Sequence, residues 1–263
     1  MTFLEPTDIK DMGARYSHYP GPFAIDEPDL QKIFPGIENF PNAIAGTQYQ
    51  KGDLDDYNLT CINRITATVQ PKTILEIGTF RGRTTLNLAT WAPKAHVITI
   101  DIANIVTDTF SSVDMDYHQE PDKVGIVFKD TEQSKRITQI IADSLTQECA
   151  LLVDAKLKGR KIDLAFIDGG HDYDSVKHNF EELVLPRMKE GGVVVFDDYN
   201  RPLSIVGVTH YLLEKAYKDS YVFYWFAPKG REKTNEVIFV NNKESKTYNW
   251  RGEKEGCSEM NVN

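Results

Sequence analysis

Four side chains at the ends of two apolar runs carry the first chemical suggestion. Asp168 closes the run Ile162 to Ile167, Asp197 and Asp198 close the run Val193 to Phe196, and His171 follows Asp168 by three residues. If the two runs are neighbouring parallel strands, roughly 5 Å apart, the three carboxylates converge at one sheet edge. Left unpaired, they would repel and raise one another's pKa. A divalent cation relieves that cost, and Mg²⁺ or a similar hard ion takes such oxygen ligands. Asp168, Asp197 and Asp198 are therefore the expected metal ligands. His171 has an unperturbed pKa near neutrality, which suits a general base; it and Asp168 form the expected catalytic pair. Blander readings stay open: Asp197-Asp198 as a solvated strand end, His171 as an exposed loop residue, and Asp172 or Asp174 as a helix cap.

A second constellation precedes the first. Ile74-Leu75-Glu76-Ile77-Gly78-Thr79-Phe80-Arg81-Gly82 reads as a strand that ends in Glu-x-Gly-x-x-x-Gly and opens into a helix. Gly78 and Gly82 permit a tight turn and let a ligand approach with no Cβ in the way. A dinucleotide site wants Gly-x-Gly-x-x-Gly, with its pyrophosphate on the helix N-terminus. Here Thr79 and the bulky Phe80 and Arg81 stand where that pattern needs a second glycine, which favours a nucleoside ligand without phosphate. Asp101, at the end of the next predicted strand, is placed to accept hydrogen bonds from both ribose hydroxyls. Asp143 and Ser144 end the strand after that and offer oxygens to the exocyclic amine of an adenine.

Positioning these residues at one edge requires alternating strands and helices, the signature of a parallel sheet with crossover helices. Strands are predicted at Thr73 to Ile77, Val97 to Ile100, Ile137 to Ala142, Ile162 to Ile167 and Val193 to Phe196. Two more, Tyr221 to Phe226 and Glu236 to Val240, can pair near the end. Helices are predicted at Asp55 to Val69, Gly82 to Trp91 and Ser204 to Tyr217. Val176, Phe180, Leu183 and Val184 fall on one helical face, and Gly191-Gly192 supplies a turn into the fifth strand. Before Asp53 the chain is rich in Pro, Tyr and Phe and reads as irregular, with one short helix near Pro28 to Phe34. Residues 103 to 136 are polar and weakly patterned.

From about Asp53 to Val240 the chain resembles the class I S-adenosylmethionine-dependent methyltransferases. The stretch Phe166-Ile167-Asp168-Gly169-Gly170-His171-Asp172-Tyr173, followed by Gly191-Gly192-Val193-Val194-Val195-Phe196-Asp197-Asp198-Tyr199, is similar to a bacterial branch of sugar and macrolide O-methyltransferases. It is more distantly similar to the catechol and caffeoyl-CoA enzymes. The resemblance implies an α/β fold: a Rossmann-like sandwich with a seven-stranded, mostly parallel sheet and helices on both faces. It also implies that Glu76, Gly78, Thr79 and Gly82 line the methionine end of the cofactor, that Asp101 holds the ribose, and that Asp143 with Ser144 holds the adenine. By the same resemblance Asp168, Asp197 and Asp198 hold a metal and His171 is the base; alternatively Asp168 bonds the cofactor's amino group. The implied reaction is in-line attack of a substrate oxygen on the sulfonium methyl, with the oxygen's proton lost as the bond forms.

The 263 residues suit a methyltransferase domain over 53–241, preceded by a segment, 1–52, covering the active edge and followed by a polar tail, 242–263. A net charge of −9 disfavours nucleic acid as a partner, although Arg81 and Arg83 suggest a local basic patch. No apolar run reaches the ~20 residues of a membrane span, and Met1 to Lys10 lacks the core of a signal peptide; a cytoplasmic protein is expected. Cys61, Cys149 and Cys257 are too scattered for a disulfide framework or a zinc site. The expected partner is a small hydroxylated molecule, met by Tyr16, Tyr19, Phe23, Tyr49 or Arg201, with a homodimer as a further expectation. Competing readings are transfer to another acceptor without metal, a non-catalytic cofactor-binding module, and a nicotinamide dehydrogenase, which Thr79 and Phe80 disfavour.

Overall fold

The computed structural model describes residues 23–46, 48–102, 122–199, 206–219, 221–226 and 236–242. Tyr16, Tyr19, Arg201, Cys257, most of the weakly patterned 103–136 stretch and nearly all of the expected tail lie outside the described residues. The strands are β1 (Phe23–Ile25), β2 (Thr73–Ile77), β3 (His96–Asp101), β4 (Ile137–Ile141), β5 (Ile162–Ile167), β6 (Met188–Phe196), β7 (Tyr224–Phe226) and β8 (Val237–Val240). Their order across the sheet is β1-β7-β8-β6-β5-β2-β3-β4. β8 runs antiparallel to β6 and β7, and the other pairings are parallel. The helices are α1 (Glu27–Ile33), α2 (Asp56–Val69), α3 (Arg83–Trp91), α4 (Gln147–Leu157), α5 (Tyr173–His178) and α6 (Val206–Asp219).

Alternation of side chains along each central strand builds two cores, one on each face of the sheet. Leu75, Ile77, Ala165, Ile167, Val194 and Phe196 join one core with α4, α5 and α6. Ile74, Leu164, Phe166, Val193 and Val195 join the other with α1, α2 and α3. β2 and β5 are buried along their full lengths, as strands covered by helices on both faces must be. The helices start where polar caps permit. Asp55 accepts from the Tyr57 and Asn58 N–H groups ahead of α2, Thr146 from Cys149 ahead of α4, and Asp172 from Ser175 ahead of α5. No helix among the described residues is long and apolar enough to cross a membrane.

The seven predicted strands are present, and the structure adds an eighth: Phe23–Ile25, within the segment read as irregular, pairs in parallel with β7 at the sheet edge. Gly191-Gly192 does not make a turn before β6 but lies within it. There the register passes from Ile162↔Met188 to Leu164↔Val193, two residues of β5 against five of β6, and Gly191 accommodates the bulge at φ +74. β7 begins at Tyr224 rather than Tyr221, because Tyr221 stacks on Phe239 (interplanar angle 8°) instead of pairing its backbone. The helix carrying Val176 widens to a π-turn over Asn179–Val184, which keeps Phe180, Leu183 and Val184 all in the core.

Candidate active site

The strand order reverses beside β2: the chain runs outward through β3 and β4, then returns to β5 on the other side of β2. Open α/β sheets bind ligands at the carboxyl ends of strands beside such a reversal. Gly78 leaves β2 at φ +100, and a Cβ there would overlap the carbonyl oxygen of Asp168. Gly82 sits at φ +85, where a Cβ would lie 2.5 Å from the Phe128 ring and 2.9 Å from Gly125 Cα. Both glycines thus serve close approaches within the protein, a reason different from the ligand access inferred above. The 122–130 stretch backs the loop, with Gly125 N–H donating to the Phe80 carbonyl and Val127 N–H to that of Arg81, each at 2.9 Å.

Asp101 ends β3 and is locked to this loop: its Oδ2 accepts from Phe80 N–H at 2.7 Å, with Phe80 itself at φ +46. Glu76 is fully buried. Its Oε2 accepts from the hydroxyls of Thr85 and Thr99, the latter at 2.5 Å, and Thr99 also meets the Thr79 hydroxyl at 2.5 Å. Burial, reinforced by the nearby charges of Asp168 and Asp101 against the two threonine bonds, pushes the Glu76 carboxyl up to about 8. Its Oε1 is buried without a hydrogen-bond partner among the described residues. Asp143 holds the turn after β4, accepting from Leu145 N–H at 2.9 Å, with the half-buried Ser144 beside it. Arg81 and Arg83 form no basic patch. Arg81 pairs with Asp53 at 3.1 Å, and the buried Arg83 binds Asp56 and the Leu54 carbonyl, tying the segment before α2 to the loop.

Asp168 leaves β5 directly beside Gly78, its N–H donating to the Ile77 carbonyl at 2.8 Å. Asp198 follows β6 in the left-handed region at φ +62, which aspartate tolerates better than most residues. His171 Nε2 lies 2.9 Å from Asp198 Oδ2 and 3.7 Å from Asp168 Oδ1. Ligand atoms of Asp168, His171 and Asp198 all fall within 4.8 Å of one another. Asp197, expected with them, stands outside this group. It is buried, and burial pushes its carboxyl well above the usual range, with Asp168, Asp198 and Glu236 adding to the effect. The reason is local: β6 ends at Phe196 and Asp198 turns the chain at φ +62, so the directions of the two carboxylates are set by that turn and not by strand alternation. Asp172 proves to be the cap of α5, with Oδ2 also accepting from Ser175 Oγ at 2.5 Å. A cavity of about 630 Å³ lies elsewhere, lined by Asp26, Glu38, Tyr57, Arg64 and Phe226 among others; no expected catalytic, cofactor or metal residue lines it.

Comparison with known proteins supplies the deciding observation. Residues 75–199, from the middle of β2 to the residue after Asp198, match the family described as Methyltransferase domain. These residues carry a methyltransferase domain. A curated relative, the caffeoyl-CoA O-methyltransferase of Stellaria longipes, is 26% identical over 201 residues, covering 73% of each chain. Among solved structures, cofactor-bound Rv0187 from MTB shares the fold with TM-score 0.53 at 16% identity, over 91% of this chain and 98% of that one. The O-methyltransferase TomG from Streptomyces achromogenes, in complex with SAM, aligns with TM-score 0.50 at 17% identity, over 88% and 96%.

The methyltransferase domain presents donors and acceptors that fit the methionine end of S-adenosylmethionine. Glu76 Oε1, buried and unpartnered, suits an ammonium group, and the first turn of α3 has no side-chain cap, leaving N–H groups for a carboxylate. The carboxylates of Asp168 and Asp198 fit a small divalent cation, with the His171 imidazole beside them. Sequence reasoning missed Thr85 and Thr99, which hold Glu76, and Gly207, where a Cβ would overlap the backbone of His171, Asp172 and Tyr173. No spacing rule marks the threonines. Gly207, a glycine inside a predicted helix, is the kind of signal that indicates a close packing contact.

Proposed function

We propose that this methyltransferase transfers its methyl group to a hydroxyl oxygen of a small molecule (a sugar, natural product or phenol) with divalent-metal assistance and with His171 as the general base. The observation that carries the reading is the convergence of Asp168, His171 and Asp198 within 4.8 Å, next to the loop that receives the cofactor. The Stellaria relative's name, an O-methyltransferase, supports the choice of oxygen. S-adenosylmethionine supplies the sulfonium methyl, and a cation held by Asp168 and Asp198 would lower the pKa of a hydroxyl bound to it. The chain's own part is to hold and move the proton. Asp198 orients the imidazole through Nε2 at 2.9 Å, and the imidazole accepts the hydroxyl proton as the oxygen–methyl bond forms and the carbon–sulfur bond breaks. Asp101 is proposed for the ribose, Asp143 and Ser144 for the adenine, and Glu76, Gly78, Thr79 and Gly82 for the methionine end. A net charge of −9 supports a small molecule over nucleic acid, and the unpaired thiols of Cys61 and Cys149 support a cytoplasmic setting.

Calorimetric titration with S-adenosylmethionine and S-adenosylhomocysteine, with and without Mg²⁺, tests the reading first. Micromolar binding that Mg²⁺ alters is expected, followed by methyl transfer to hydroxylated acceptors and not to amines. Full transfer activity in chelator-stripped protein would remove the metal, and transfer to nitrogen alone would remove the oxygen acceptor.

A further inference from the structure

Between Asp168 and His171 the chain has two glycines, so the segment carrying two of the three clustered side chains has no side chains of its own to anchor it. Beneath it lies Asn179. This residue is fully buried, and neither its Nδ2 nor its Oδ1 has a hydrogen-bond partner among the described residues. Its position relative to the segment is fixed by Gly169: a Cβ there would sit 3.0 Å from Ile77 Cγ2 and 3.7 Å from Asn179 Nδ2. The amide therefore faces the inner side of the Asp168–His171 segment, next to the end of β2.

Burying an amide without partners is costly, and packing alone at a fully buried position beside the core would favour a leucine. The backbone is also irregular here, because Asn179 begins the π-turn Asn179–Val184, a wide turn often found at functional sites. An amide in this place lies beside Gly169, where a Cβ would sit 3.7 Å from its Nδ2, so the peptide groups of the Gly169–Gly170 segment are the partners it is placed to meet. We propose that Asn179 is a positioning residue: its amide bonds the Gly169–Gly170 backbone when the cofactor draws the Asp168–His171 segment inward, fixing Asp168 and His171 for reaction. The inference rests on the cofactor reading above and adds a residue in contact with neither the cofactor nor the clustered side chains.

The test compares wild type with Asn179→Leu and Asn179→Ser, using S-adenosylhomocysteine with Mg²⁺ as the probe. Three quantities are read: the melting temperature of the ligand-free protein, the affinity for the probe, and the slowing of hydrogen exchange over 168–171 when the probe binds. Asn179→Leu is expected to melt at or above the wild-type temperature, to bind about five- to tenfold more weakly, as loss of one hydrogen bond requires, and to lose the slowing of exchange. Asn179→Ser, whose hydroxyl is too short to reach the loop, repeats the loss of affinity and of slowing should the leucine variant fail to fold. Wild-type affinity with unchanged slowing in either folded variant overturns the proposal. So does a ligand-free melting temperature that falls in step with affinity, since the amide would then be part of the resting structure. Wild type that binds no probe at all defeats the cofactor reading itself, an outcome separable from any behaviour of the variants.

Discussion

Full burial between two threonine hydroxyls, close to Asp168 and Asp101, keeps Glu76 protonated up to about pH 8. A carboxyl whose folded pKa is raised contributes stability below its unfolded value, and that contribution is lost as pH climbs through the folded value. Wild type should therefore lose stability relative to Glu76→Gln between about pH 4.5 and 8. The slope approaches about 1.4 kcal/mol per pH unit, readable in urea unfolding at pH 5, 6, 7 and 8. Parallel curves for the two proteins would mean that Glu76 titrates normally. His171 makes the contrasting case, a half-buried imidazole beside the carboxylates of Asp168 and Asp198 that are proposed to hold a cation. Replacing it with alanine should lower turnover by roughly 10²–10⁴-fold, the usual worth of a general base. Affinity for S-adenosylhomocysteine should stay within about twofold by calorimetry; an equal loss of both would assign His171 to binding instead.

Elements, more than residues, decide whether those groups meet. Gly78→Ala places a Cβ inside the Asp168 carbonyl at a positive φ. Strain and overpacking at one site put the expected loss at about 4 kcal/mol or more, measured as a collapse of the urea midpoint. Gly207→Ala sets two effects against each other. Alanine favours a helix by about 1 kcal/mol over glycine, yet its Cβ would overlap the backbone at 171–173. The overlap should prevail and displace His171 from Asp198, so that turnover falls by about 10²-fold in a protein that still folds; unchanged single-turnover rates would show that the helix, not the loop, gives way. These contacts also mark what the sequence could and could not disclose. Apolar runs such as Ile162 to Ile167 announce their strands because burial on both faces demands them. The acids that close the runs land at one edge because parallel strands end together. A three-residue edge strand such as Phe23–Ile25 has no periodicity to display, and the bulge at Gly191 reads as a turn because glycine serves both. The direction of Asp197 depends on how the chain turns at Asp198 just past β6, and the carbonyl beneath Gly78 belongs to a residue ninety positions away. Neither leaves a local trace.

At the scale of the whole molecule, the gathering of acids on one edge is a stability problem that the proposed cation would relieve. A chain of net charge −9 brings Asp168 and Asp198 together around one imidazole, with Asp197, Asp101 and Glu76 close enough to feel them. A cation that binds only the folded protein raises its stability by about 2.7 kcal/mol at a hundred times its dissociation constant. For a chain of this length that amounts to roughly 5–10 °C in melting temperature. Mg²⁺ should raise the melting temperature of wild type by about this much, and a chelator should reverse it. The neutral isosteres then divide the candidate ligands. Asp198→Asn removes a charge from the cluster seen in the structure and should abolish most of the shift. Asp197→Asn replaces a buried carboxyl outside that cluster, whose ionisation burial disfavours, and should leave the shift nearly intact. The reverse pattern, with Asp197→Asn silent to Mg²⁺ and Asp198→Asn responsive, would make Asp197 the ligand in place of Asp198, and loss of the shift in both variants would mean that the metal reorganises the end of β6 and takes all three aspartates as its ligands.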